Sequence, residues 1–108
     1  MRALMFRGPM AIAWEEVETP QLMEPRDALV RPIAVARCDL DPAIALGLYP
    51  MPAPFVMGHE MVGEVVAVGE AISNVRLGDK VIVPFQLSCM TCAPCLRGHT
   101  NACVNVPS

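Results

Sequence analysis

The sequence predicts a mostly β domain that carries one or two short helices and a cysteine-rich lobe. The 108 residues include 11 prolines and 7 glycines, and this composition favours many turns and few long helices. Residues 12–17 alternate and residues 61–68 are rich in valine, which are patterns typical of strands. Four of the five cysteines fall between Cys89 and Cys103, which predicts a metal-binding lobe at about 86–106.

Composition limits the class of protein further. The chain is 54% hydrophobic and 18% charged, which excludes disorder as its main state and suits one domain over 1–108. A net charge of -3 without a basic stripe predicts no nucleic-acid partner. We expect no membrane span, because no apolar run reaches about 18 residues. Arg7 interrupts the apolar start, so a secretory signal is not expected.

About five strands follow from the order of apolar segments and turn residues. Pro32 has no N–H for a sheet, so the third strand is expected at an edge or bulged. Asp41 followed by Pro42 predicts a helix start, with aspartate as N-cap and proline first in the helix. The helix would end near Gly47. The predicted strands cover residues 3–6, 12–17, 28–36, 61–68 and 81–84.

The cysteine lobe has the spacing of a closed zinc site. Four thiolates complete a tetrahedral sphere and leave no position for substrate, which is typical of structural zinc. Metal would also supply folding energy to a segment with few apolar residues. Alternatives are thiols or disulfides in an unordered tail, or an iron–sulfur cluster. His99 is expected to be an exposed loop residue. The predicted ligands are Cys89, Cys92, Cys95 and Cys103.

The odd number of cysteines and their clustering also indicate the cellular compartment of the protein. An odd count argues against a complete disulfide framework, and thiolate metal sites persist in reducing compartments. We therefore expect a cytoplasmic protein.

A second group of side chains lies at predicted strand ends. Cys38 closes one apolar strand, and His59 and Glu60 open another. A sulfur, an imidazole and a carboxylate suit an open zinc site, in which the metal acts as a Lewis acid. The alternative is that Cys38 is an apolar filler and that His59 is a hydrogen-bonded structural residue.

The wider pattern resembles the medium-chain alcohol dehydrogenases. Gly58-His59-Glu60, with later glycines and Ile72, is similar to the zinc signature of that family. The segments 38–41 and 77–81 are similar to its first ligand motif and to a connecting turn. The cysteine lobe stands where the family has its structural zinc. The resemblance extends over about 1–106.

That resemblance implies a GroES-like, partly open β-barrel that forms the N-terminal part of a catalytic domain. It implies that Cys38 and His59 are ligands of a catalytic zinc and that Glu60 ligates or approaches the same ion. Asp41 would accept a hydrogen bond from the ligand histidine and fix its orientation. The alternative for Asp41 is a helix N-cap without such a role.

The implied activity is that of a zinc-dependent, NAD(P)-linked alcohol or polyol dehydrogenase acting on a small-molecule alcohol. Zinc would polarise the alcohol oxygen for hydride transfer to nicotinamide. No glycine-rich phosphate motif is present, so NAD or NADP is expected only in the intact enzyme, and the fragment alone is expected to be inactive. An uncovered sheet edge predicts a homo-oligomer.

Some positions depart from the family pattern. Leu40 stands where many relatives have a proton-relaying hydroxyl, and Ala43 stands where a basic residue is frequent. Asp39, beside the ligand cysteine, is expected to face solvent. Side chains expected either to line the substrate site or to belong to the barrel core are Leu48, Tyr49 and Phe85.

Two other functions are compatible with parts of the pattern. A stand-alone zinc-lobe module for protein association would need the four-cysteine lobe but not Cys38 or His59. A zinc-free quinone or enoyl reductase of the same superfamily would need neither group, and the complete lobe together with Cys38, His59 and Glu60 argues against it.

Overall fold

The computed structural model describes residues 1–106, and its described part is mostly β, which confirms the predicted fold class. Six strands, two short α-helices and one 3₁₀ helix occur there. In chain order they are β1 (Arg2–Gly8), β2 (Ala11–Glu16), β3 (Ala28–Val35), α1 (Leu40–Ala45), β4 (Phe55–Val56), β5 (Met61–Val68), β6 (Lys80–Val83), α2 (Ala93–Leu96) and the 3₁₀ helix Thr100–Ala102.

The first sheet has the order β2-β1-β4, with both pairs antiparallel. Its central strand carries Phe6, which is only 1% exposed. The ring of Phe6 packs on Phe55 of β4 with centroids 5.0 Å apart. Strand β4 is only two residues long, and this aromatic contact joins it to the longer hairpin.

The second sheet has the order β3-β5-β6 and is also antiparallel. Strand β3 lies at its edge, and the register shifts between Pro32 and Ala34. Both observations confirm the prediction made from Pro32, because the ring nitrogen offers no ladder hydrogen bond. Gly63 faces this irregularity, and a Cβ there would overlap the side chain of Val30.

Helix α1 starts slightly earlier than predicted. Its N-cap is Asp39, which makes no side-chain capping bond, and Asp41 lies in the first turn. The carboxylate of Asp41 instead accepts the N–H of Cys38 at 2.9 Å. The expectation that Asp41 is the N-cap was therefore wrong, because its side chain reaches back beyond the helix. Ile44 is buried and anchors the helix.

The buried core is small for a chain of this length. A radius of gyration of 15.6 Å exceeds the value of about 13 Å expected for a compact domain of this size. Ile82 on β6 is 72% exposed. No helix in residues 1–106 is long and apolar enough to cross a membrane. The buried apolar residues are Ala3, Met5, Phe6, Ile44, Val65 and Cys95.

Candidate metal centres

The four lobe cysteines converge as predicted. Their sulfur atoms all lie within 4.8 Å of one another, and all four are free thiols. Sulfurs that share one tetrahedral zinc at about 2.3 Å lie about 3.8 Å apart. The donor set and its spacing therefore fit a zinc ion. The four residues are Cys89, Cys92, Cys95 and Cys103.

Local backbone features bring these sulfurs together. Met90 adopts a φ of 56°, and the turn it makes directs the N–H groups of Thr91 and Cys92 to the Cys89 sulfur. Helix α2 follows, with Cys92 as its N-cap and a proline in its first turn. Gly98 then takes a φ of 83°, a left-handed conformation suited to a helix end. The chain can thus turn back toward Cys103.

The thiols of the metal-free lobe differ in acidity. Hydrogen bonds from the hydroxyl and N–H of Thr91 and from the N–H of Cys92 lower the pKa of the Cys89 thiol to about 5. Burial raises the pKa of Cys95 to about 12. The N–H of Cys89 lowers the pKa of Cys103. At neutral pH a metal ion would therefore find a thiolate at Cys89 but would displace a proton from Cys95.

A second group consists of Cys38, Asp41 and His59. One candidate ligand atom from each lies within 4.8 Å of the others. Asp41 Oδ1 is 3.4 Å from His59 Nδ1, and the two side chains are 20% and 32% exposed. Cys38 is an exposed free thiol. A sulfur and an imidazole in a partly open setting fit a zinc site with positions left for other ligands.

The pairing of β3 with β5 explains why these residues meet. Val35 at the end of β3 lies opposite Met61 at the start of β5. The N–H of Ala36 donates to the carbonyl of Glu60 at 2.9 Å and extends this pairing. Cys38 leaves the ladder at the same end at which His59 enters it. Helix α1 then begins and brings Asp41 toward both.

Asp41 engages both neighbours with its two carboxylate oxygens. Oδ2 accepts the N–H of Cys38 at 2.9 Å, while Oδ1 faces Nδ1 of His59. Such contacts orient a ligand histidine and leave Nε2 for a metal. The N–H of Leu40 donates to the Cys38 sulfur at 3.4 Å, which also orients the thiol.

Glu60 does not join this group in the structure. Its side chain is exposed, although its backbone lies in the strand pairing. Its role as a ligand stays a prediction.

His99 is exposed and caps the 3₁₀ helix outside the sulfur group. Asp39 is exposed as expected, and Leu40 is 42% exposed.

A cavity of about 520 Å³ opens beside His59. Its wall is mainly apolar and includes Phe85, which is 68% exposed. Leu48 and Tyr49 are 76% and 50% exposed, so neither belongs to the core. Of the three side chains considered from the sequence, Phe85 lies at this cavity.

Two polar residues of the lobe were missed by the sequence analysis. The hydroxyl of Thr91 and the side-chain amide of Asn105 each lie 3.3 Å from the Cys89 sulfur. The position of Thr91 inside the first cysteine turn was an available signal. Asn105 gave none, because its approach to Cys89 depends on how the lobe folds back.

Fold and side-chain geometry thus define a mostly β domain with two groups of residues suited to metal ions. The chain belongs to the alcohol dehydrogenase GroES-like domain family, whose sequence pattern matches residues 24–108. This match confirms the GroES-like fold and the family resemblance.

Known relatives agree with this assignment. Zinc-type alcohol dehydrogenase B from Aspergillus flavus is 37% identical over 103 residues, covering 95% of this chain and 24% of the relative. Alcohol dehydrogenase TADH from Thermus sp. ATN1 is 42% identical with a TM-score of 0.86, covering 97% of this chain and 30% of that one.

The short chain alcohol dehydrogenase rspB from Escherichia coli, solved in complex with NADH, is 30% identical with a TM-score of 0.76. The match covers 99% of this chain and 31% of that one. The chain therefore spans roughly a quarter to a third of the length of these relatives.

Proposed function

We propose that this chain is the N-terminal part of the catalytic domain of a zinc-dependent, NAD(P)-linked alcohol or polyol dehydrogenase. The observation that carries the proposal is the convergence of Cys38 and His59 beside an apolar cavity, separate from the four-sulfur lobe. The relatives described as alcohol dehydrogenases support the reaction class.

In this proposal Cys38 and His59 hold the catalytic zinc, and Glu60 approaches the same ion. When bound, zinc and NAD(P) would supply Lewis-acid activation of the alcohol oxygen and a hydride acceptor. Asp41 keeps the imidazole oriented and its Nδ1 proton in place. Phe85 and its apolar neighbours bind the carbon part of the alcohol and exclude water.

NAD or NADP would bind only in the intact enzyme, so the isolated fragment is inactive in this proposal. The structure with NADH in a relative supports a nicotinamide acceptor. No glycine-rich strand-to-helix phosphate motif occurs in residues 1–106. Leu40 cannot relay a proton, so water or another group would carry it from the alcohol.

The lobe cysteines would bind a structural zinc that orders residues 86–106. This role is supported by four free thiols in tetrahedral range. Thiolate ligation also supports a cytoplasmic location, because a reducing compartment keeps such thiols unpaired.

We also propose that the protein forms a homo-oligomer. Strand β6 pairs on one side only within the described residues, and Ile82 on it is largely exposed. Edges and patches of this kind favour self-association. Light scattering tests this directly, and a monomer at high concentration would contradict it.

The function is tested by replacing His59 in the intact enzyme. His59→Ala should remove the catalytic zinc and turnover while the lobe keeps its metal. His99→Ala is the matched control, because His99 lies in the lobe but outside the sulfur group. Elemental analysis should give about one zinc per chain for the first variant and about two for the second. Retained turnover in His59→Ala would refute the assignment.

A protein-association module is the second candidate. It is favoured by exposed apolar side chains on the lobe, including Leu87, Leu96 and Val104, which are 71%, 73% and 73% exposed. The same zinc measurement separates the candidates, because a module needs only the lobe metal. One zinc per intact wild-type chain without alcohol oxidation would favour the module.

A further inference from the structure

The Cys89 sulfur is set apart by the number of its hydrogen-bond donors. It accepts the N–H groups of Thr91 and Cys92 at 3.4 and 3.3 Å. It also accepts the Thr91 hydroxyl and the Asn105 side-chain amide, both at 3.3 Å. The Cys103 sulfur accepts the N–H of Cys89 at 3.4 Å. Among the described residues, Cys89 is therefore the lobe sulfur with the most side-chain donors.

The backbone donors and the side-chain donors differ in how far they depend on residue identity. The N–H groups belong to the turn backbone and would remain with most residues at these positions. The hydroxyl and the amide depend on the identity of Thr91 and Asn105. Asn105 follows the last cysteine, so its bond joins the end of the lobe to its beginning. Both side chains are exposed, and neither ligates the metal.

Charge explains why such donors matter. Four thiolates bring more negative charge than one zinc ion neutralises. Hydrogen bonds from neutral donors to a charged acceptor are stronger than those between neutral groups. Donors around a ligand also fix its direction, and losing them typically lowers metal affinity.

We propose that Thr91 and Asn105 are positioning residues for the lobe zinc. Their side chains hold the Cys89 sulfur in its ligating direction and offset its charge, so they raise the affinity of the lobe for zinc without binding it. The inference rests on the structural zinc included in the proposed function. It assigns a role to two residues that carry no ligand atom of the site.

Matched substitutions isolate the two side-chain bonds. Thr91→Val keeps the shape of threonine and removes its hydroxyl, whereas Thr91→Ser keeps the hydroxyl. Asn105→Ala removes the amide independently. Thr100→Val makes the same chemical change in the 3₁₀ helix of the lobe. Among the described residues, the only threonine hydroxyl bonded to a lobe sulfur is that of Thr91.

The measurement is competition for zinc between the full chain and a chromophoric chelator. We expect Thr91→Val and Asn105→Ala each to weaken binding about tenfold, at the lower end of outer-ligand effects. Thr91→Ser and Thr100→Val should bind zinc like the wild type. Cobalt substitution gives a second readout, because sulfur-to-cobalt charge-transfer bands should shift in the first two variants alone.

The outcomes separate this inference from the proposed function. Wild-type zinc affinity in both Thr91→Val and Asn105→Ala would overturn the positioning role and leave the lobe zinc intact. An equal loss in Thr100→Val would also overturn it, because general destabilisation of the lobe would then explain the effect. A wild-type chain without cobalt–thiolate bands would overturn the lobe metal itself.

Discussion

Replacing Asp41 tests whether its carboxylate orients the histidine of the second metal group. Asp41→Asn removes the charge 3.4 Å from His59 Nδ1 but keeps an oxygen that can still accept the Cys38 N–H. Asp41→Ala removes both contacts. Loss of an outer partner of this kind lowers metal affinity by about 10- to 100-fold, which corresponds to about 1.4 to 2.7 kcal/mol. We expect Asp41→Asn to lower the zinc affinity by about tenfold and Asp41→Ala by about 100-fold.

The assay is zinc competition on the intact enzyme, in which the lobe site serves as an internal reference. Asp39→Asn is the matched control, because it removes the same charge from an exposed neighbour. Only the second metal group should lose affinity in the Asp41 variants, and turnover should fall with it. Equal affinities for Asp41→Ala and Asp39→Asn would refute the orienting role.

Two further predictions concern the lobe. Met90 holds a φ of 56°, which is strained for a residue with a Cβ. Met90→Gly should therefore raise the stability of the lobe by about 1 kcal/mol. Thermal melting measures this, and an unchanged or lower melting temperature would contradict it. In the metal-free chain at pH 7, Cys89 should react with iodoacetamide well before Cys95, because its pKa is about 5 and that of Cys95 about 12. Cys89 should lose this reactivity only as the pH falls below about 5. Mass spectrometry of the modified peptides measures the order of reaction, and modification of Cys95 before Cys89 would contradict the prediction.

Strands with a long apolar pattern could be predicted from the sequence. Residues 61–68 form β5 with the predicted limits, because their β-branched side chains suit a half-buried sheet. The two-residue strand β4 could not be predicted, since prolines precede it and its partner Phe6 lies far away in the sequence. The prediction of one or two short helices was correct, but the position of α2 was not predicted, because one turn inside a cysteine-rich segment gives no periodicity.

The candidate sites were predictable to different degrees. The short spacing of the lobe cysteines is local, so their convergence follows from the sequence. The meeting of Cys38 with His59 depends on the register of β3 and β5; their positions at predicted strand ends suggested it, and the family resemblance strengthened it. Glu60 was expected beside them; its side chain is exposed and lies outside the three-residue group, and its role as a ligand stays a prediction.

The lobe has a consequence for how the protein responds to its surroundings. Within the described residues from 86 onward, the only buried side chain is Cys95, itself a proposed ligand. Little apolar packing therefore opposes unfolding of this segment, and the proposed zinc would supply most of the stabilisation. By mass action, each tenfold change in free zinc above the dissociation constant shifts the lobe's folding equilibrium by about 1.4 kcal/mol. The fraction of folded lobe should then follow the concentration of free zinc. A chelator should therefore unfold the lobe at constant temperature.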